Sequence, residues 1–262
     1  MRLYLYLSPH LDDAVLSCGG LIHRQVRQGD QVLVLTVFAG DPPPGERSAF
    51  ALLLGERWQA ADRPVATRRA EDRQALALLG AGFCHWDYPD CIFRLHPTDG
   101  QPLYPTREAI FGLVHPWEAV QLVEELAQRL QELCARRRPA VVYSLLTAGH
   151  HVDHQLVQWA ARRLAEQGWA VCHYEDYPYV EDPARLQAAL AEAGGAWQPE
   201  FQPLAPADLE ARIAAIACYR SQLAELFGDP GAMPGRVSAY AHSLGGGGPA
   251  ERYWWPRDGA AP

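Results

Sequence analysis

Tyr6 to Gly20 reads YLSPHLDDAVLSCGG. The apolar pattern RLYLYL (2–7), a buried strand, runs directly into a histidine and two adjacent aspartates. The amphipathic pattern of a helix follows over 12–29, with Gly29 as its stop. Polar groups at the end of a buried strand cost free energy unless something pairs with them. Either they cap the helix or they hold something.

Strand patterns recur at 31–40, 82–88, 140–146 and 170–180, and helical patterns at 67–80, 117–138, 153–168 and 206–228. Strands alternating with helices specify an α/β fold, a mostly parallel sheet with helices on both faces. Such sheets bind ligands at the carboxyl ends of their strands, and SPHLDD occupies the first such turn. The 262 residues fit a single domain, with surface insertions near 41–66 (a loop or lid) and 89–116 and a C-terminal extension from about 229.

Composition narrows the function. A net charge of −8 argues against a nucleic-acid surface. The chain contains no lysine, which removes Schiff-base chemistry and a P-loop lysine. Six cysteines lack CxxC spacing and read as thiols of a reducing compartment, Cys18 and Cys172 in the core. The N-terminus lacks a signal-peptide pattern, and no apolar run approaches the roughly 20 residues needed to span a bilayer. A cytoplasmic protein without a membrane span is the expectation.

A second cluster, GHHVDH (149–154), follows the strand AVVYSLL and precedes a helix, so it falls on the same sheet edge. Asp12 and Asp153 have a bland reading as helix N-caps. Capping leaves His10, His151 and His154 unaccounted for. Catalytic zinc takes three His or carboxylate ligands and keeps one position open. His10, Asp13 and His154 form such a set, with Asp12 free as a base and His151 free to face a developing oxyanion. A His/His/Asp set also accepts other divalent ions.

SPHLDDAVLSCGG resembles the Pro-Asp-Asp signature of the LmbE-like, or PIG-L, deacetylases, and HHVDH resembles their His-x-Asp-His motif. The resemblance implies a zinc hydrolase on a Rossmann-like fold that removes an N-acetyl group from an amino sugar, as in glycolipid anchors, mycothiol, bacillithiol and glycopeptide antibiotics. Carried over, it makes His10, Asp13 and His154 ligands, Asp12 the general base and His151 the stabiliser of the tetrahedral intermediate, with Asp153 orienting a histidine. TRRAED (67–72) resembles the family's Arg-x-x-Glu helix start and points to Arg68 as a substrate contact, with Arg69 the competing register.

Three positions depart from the family pattern: Leu11 replaces Pro, Ala14 replaces Glu, and Gly149 stands where some relatives carry a tyrosine. Oxyanion stabilisation then rests more heavily on His151 and the metal. His150 reads as a neighbour of the motif, YEDYPY (174–179) as cleft wall or plain loop, and Trp254–Trp255 as core packing or a sugar platform. A nucleotide-binding module conflicts with carboxylates in the first turn, where phosphate would need backbone amides. A zinc amidase on a non-sugar amide and a non-catalytic carbohydrate-binding protein remain as rivals. The expected partner is a small amino-sugar substrate, and the sequence is compatible with a homo-oligomer.

Overall fold

In a computed structural model, residues 1–44, 47–58 and 64–257 are described; residues 45–46 and 59–63 of the expected lid, and 258–262 of the C-terminal segment, lie outside them. A single seven-stranded sheet runs in the order β3-β2-β1-β4-β5-β7-β6. Its strands are β1 (Leu3–Ser8), β2 (Gln31–Thr36), β3 (Gly82–His85), β4 (Val141–Leu145), β5 (Val171–Tyr174), β6 (Trp197–Pro203) and β7 (Ala250–Pro256). The first five are parallel, whereas β7 is antiparallel to β5 and β6 antiparallel to β7. The chain winds outward from β1 to β3, then returns to place β4 on the other side of β1. That reversal opens a crevice at the carboxyl ends of β1 and β4.

The helices are α1 (Asp13–Arg27), α2 (Ala49–Arg57), α3 (Pro64–Leu79), α4 (Arg107–Ile110), α5 (Pro116–Arg137), α6 (Val152–Glu166), α7 (Pro183–Ala193), α8 (Pro206–Ile216), α9 (Arg220–Phe227) and α10 (Met233–Leu244). α1, α3 and α8 pack as one group and α5 with α6 as another. Leu5, Leu7, Leu35, Val142 and Leu145 are fully buried between the layers, as parallel strands covered on both faces require.

Several expectations change. The stretch 206–228, whose pattern is that of one helix, breaks at Ala217–Tyr219 into α8 and α9. The expected irregular lid contains α2, capped by the Ser48 hydroxyl accepting from the Ala51 N–H. The sequence pattern did not mark β6, whose alternation is carried by Pro, Glu and Gln on an exposed edge. The segment after 229 supplies α10 and β7, and β7 lies inside the sheet. In the stretch 89–116, Cys91, Ile92, Phe93, Arg94 and Tyr104 are buried beneath the crevice.

Gly19 and Gly20 let the C-terminal half close onto α1. A Cβ on Gly19 would lie 2.9 Å from Arg212 Cγ, and one on Gly20 2.5 Å from Leu204 Cδ1. Through that gap Arg212 of α8 donates to the Leu16 carbonyl, while the Glu251 carboxylate of β7 accepts from the Gly20 and Leu21 N–H groups at 2.9 and 3.0 Å. Arg212 and Glu251 pair at 3.3 Å and are both almost fully buried. Removing one member of a buried pair strands the other. Glu251→Ala is therefore expected to lower unfolding free energy by about 3–5 kcal/mol, measured by chemical denaturation; a loss under about 1 kcal/mol would show the pair to be dispensable.

Candidate metal centre

The loop after β1 folds back on itself. Ser8 Oγ accepts from the Ala14 N–H at 3.0 Å and donates to the His10 carbonyl at 2.6 Å, and the His10 N–H donates to Asp13 Oδ2 at 2.8 Å. These bonds start α1 without help from Asp12, whose carboxylate makes no capping hydrogen bond. α6 is also not capped by Asp153. The cap is His151, whose Nδ1 accepts from the Asp153 N–H at 3.2 Å. The bland capping reading thus fails for both aspartates, and their side chains face the crevice chemistry.

Asp13 lies between two imidazoles. Its Oδ2 is 3.5 Å from His10 Nδ1 and 3.3 Å from His154 Nε2. Donors bound to one zinc at about 2.0–2.1 Å in a tetrahedron stand about 3.4 Å apart. His10 Nε2 donates to Asp153 Oδ2 at 2.9 Å, leaving Nδ1 with the lone pair a metal needs. On the far side of His154, its Nδ1 and both carboxylate oxygens of Asp176 are buried without hydrogen bonds, 3.9 Å apart. Asp12, Asp13, Asp90, Asp153 and Asp176 share this pocket with two guanidiniums, Arg68 and Arg94. An excess of carboxylates around two imidazoles is a donor set that fits a divalent cation of the zinc class.

The charges respond to this crowding. Burial pushes the Asp13 carboxyl up, but His154 and His10 outweigh it and hold it below the usual carboxylate range. Burial pushes Asp12 up to about 6, against the pull of Arg68, whose guanidinium stands 3.6 Å away. Burial and the neighbouring His10 keep the His151 imidazole neutral. Because His151 Nδ1 accepts a backbone N–H, its proton sits on Nε2. Burial drives the Asp153 carboxyl up, yet Arg94, with NH1 at 2.6 Å, and His10 hold it well below its ordinary value. Glu118 fixes Arg94 from behind at 2.5 Å, and the Tyr104 hydroxyl donates to Glu118 at 2.6 Å.

All seven site residues expected from sequence converge here, six of them on the wall of a cleft of about 460 Å³ (His10, Asp12, Asp13, Arg68, His151 and His154), with Asp153 buried just behind. Arg68 also approaches Asp90 at 3.7 Å and stacks over Trp58 at 4.9 Å. Arg69 turns away to the Ala39 carbonyl and Asp41, so of the two arginines it is Arg68 that lines the cleft. His150 faces the Phe111 carbonyl and Glu192 instead. Trp254 donates to Glu175 and Trp255 to Glu200, neither on the cleft wall, so both serve packing. Asp90 and Arg94 went unread in the sequence, and Asp176 lay within YEDYPY, read there as cleft wall or plain loop. Asp90 and Asp176 follow strands on the same edge and the same positional rule could have found them; nothing in the spacing marks Arg94.

A parallel α/β sheet carrying a buried His/Asp/His donor set and a further free carboxylate at its switch point defines a metal-dependent hydrolase. The family model described as PIG-L, GlcNAc-PI de-N-acetylase, matches residues 5–165. The chain is 32% identical over 240 residues to the 2'-N-acetylparomamine deacetylase of Niallia circulans, covering 87% of this chain and 83% of that protein. It is 28% identical to the 2'-N-acetylparomamine deacetylase of Streptomyces fradiae, over 98% and 91% of the two chains. The crystal structure of the zinc-inhibited form of teicoplanin deacetylase Orf2 superposes with a TM-score of 0.85 at 29% identity, over 96% and 97% of the chains. The chain belongs to the PIG-L family.

Replacing His154 by Ala is expected to abolish stoichiometric metal binding while the fold survives, and Asp176→Asn to weaken affinity by about 10–100-fold, as loss of a partner behind a ligand does. Elemental analysis and metal titration check both. Full occupancy in the His154→Ala protein would overturn this ligand set.

Proposed function

We propose that this chain is a zinc-dependent deacetylase that hydrolyses the N-acetyl amide of an amino sugar or amino-sugar conjugate. The observation that carries the reading is Asp13 Oδ2 standing 3.5 Å from His10 Nδ1 and 3.3 Å from His154 Nε2, with Asp12 beside them and making no cap. Family membership and the deacetylase relatives support it. The sugar component comes from those relatives, and the mixed aromatic and charged cleft wall, with Phe50, Trp58, Phe111 and Arg68, suits a ring bearing hydroxyls.

His10, Asp13 and His154 hold the ion. When bound, it supplies Lewis acidity, polarising the acyl carbonyl and lowering the pKa of a water towards 7. Asp12 takes a proton from the attacking water and passes it to the leaving amine, which must be protonated to depart. A carboxyl pushed up to about 6 suits both halves of that task. Arg68 holds the substrate and lies close enough to Asp12 to orient it. His151 Nε2–H donates to the acyl oxygen as charge develops there, and Asp153 orients His10. The products are acetate and the free amino sugar. A cytoplasmic setting is part of this reading, supported by six unbridged cysteines; no helix among the described residues is long and apolar enough to cross a membrane.

Incubating zinc-loaded protein with N-acetylated amino sugars, 2'-N-acetylparomamine first, and with an N-acetylated non-sugar amine tests the reading. Acetate and free amine are expected from the sugars in equal amounts; release from the non-sugar amide alone would sink the sugar assignment. Asp12→Asn is nearly isosteric. It is expected to lose on the order of 10²–10⁴ in kcat with metal content unchanged. A rate close to the parent's would remove Asp12 from the chemistry.

A further inference from the structure

Gly149 and Tyr179 press together at the mouth of the metal pocket. A Cβ on Gly149 would fall 2.6 Å from Tyr179 Cδ2, so bare backbone at 149 is what admits the ring. Tyr179 begins the short 3-10 turn Tyr179–Glu181 that follows β5. Its ring meets that of His154 edge-on at 6.2 Å and that of Phe111 at 6.1 Å. Phe111 in turn stands 5.4 Å from His151, and His151 5.2 Å from His154. Four rings therefore close a circuit, two on the metal side and two on the cleft side, and all four line the cleft.

The hydroxyls of Tyr174, Tyr177, Tyr219, Tyr240 and Tyr253 each donate to a protein acceptor. Tyr179 is half-buried and held from two sides by ring contacts on the cleft wall, and among the described residues its hydroxyl has no protein partner. Its partner is expected to arrive with the substrate. Burial, with Asp13, Asp12 and Asp176 nearby, pushes the phenol up from its ordinary value.

We propose that Tyr179 is a second hydrogen-bond donor to the acyl oxygen of the scissile amide, across the ring circuit from His151. The proposal rests on the deacetylase reading above. Water adds to the carbonyl carbon, the C=O electron pair moves onto oxygen, and Tyr179 donates a hydrogen bond to that oxygen without giving up its proton. Collapse re-forms C=O and breaks C–N, and the amine leaves with the proton carried by Asp12. An oxyanion donor strengthens its bond as charge develops, so its removal falls on kcat, whereas loss of a ground-state contact falls on KM.

Tyr179→Phe keeps the ring and deletes only the donor. With whichever N-acetylated amino sugar the zinc-loaded parent hydrolyses, this variant is expected to lose on the order of 10² in kcat with KM nearly unchanged and metal content equal to the parent's. A parent-like kcat, or a loss confined to KM, overturns the proposal. Acetate binding to the zinc-loaded proteins, measured by calorimetry, adds a readout that needs no turnover. The parent is expected to bind acetate about tenfold more tightly than Tyr179→Phe, as one hydrogen bond to a charged oxygen implies, and equal affinities would count against the donor. A parent that hydrolyses no amino sugar but shows the acetate difference would fail the deacetylase reading and leave the donor assignment standing.

Discussion

Asp13 stands between His10 and His154, and the burial of that carboxylate with four others is the constraint on which the rest of the site depends. Like charges in a low-dielectric pocket repel strongly and raise one another's pKa. The protein divides the load. Asp153 is matched by Arg94 and His10, Asp13 by the two imidazoles, and Asp90 and Asp12 lie near Arg68. Both carboxylate oxygens of Asp176 are buried without a hydrogen bond, and they face the unpaired nitrogen of His154. A divalent cation bound here would complete this balance.

Support for the donor set comes from parts of the chain remote in sequence. The segment 89–116 passes under the crevice and contributes Arg94, whose guanidinium is clamped by Glu118 of α5 and lies over the Phe38 ring at 4.9 Å. The Cys91 N–H donates to Asp153 at 3.0 Å. The carboxylate that accepts from His10 is thus itself held by one hydrogen bond and one ion pair. Rigid support of this kind is what keeps ligand geometry within the narrow limits that catalysis needs.

Adjacent aspartates do different work because the backbone turns between them. Asp13 opens α1 and accepts from the His10 N–H, which swings its carboxylate towards the imidazoles. Asp12 precedes the helix with φ −157° and points its carboxylate to Arg68. One is held ionised by imidazoles and the other is raised by burial, the two states that the proposed ligand and proton carrier call for.

The sequence by itself determined the parallel α/β core, the edge on which chemistry sits and seven of its side chains, because strand–turn–helix patterning and residue type are local properties. His10, Asp12 and Asp13 are bound to one turn, and His151, Asp153 and His154 to another, so two local readings sufficed. Tertiary structure alone decided which imidazole Asp153 orients, that Arg68 and not Arg69 enters the cleft, and that Arg94, Asp176 and Tyr179 belong to the site. It also decided that β7 joins the sheet between β5 and β6, and that Glu251 reaches back to α1. Each of these depends on contacts between residues tens to hundreds of positions apart, which are set by how the layers pack and leave no period or spacing in the chain.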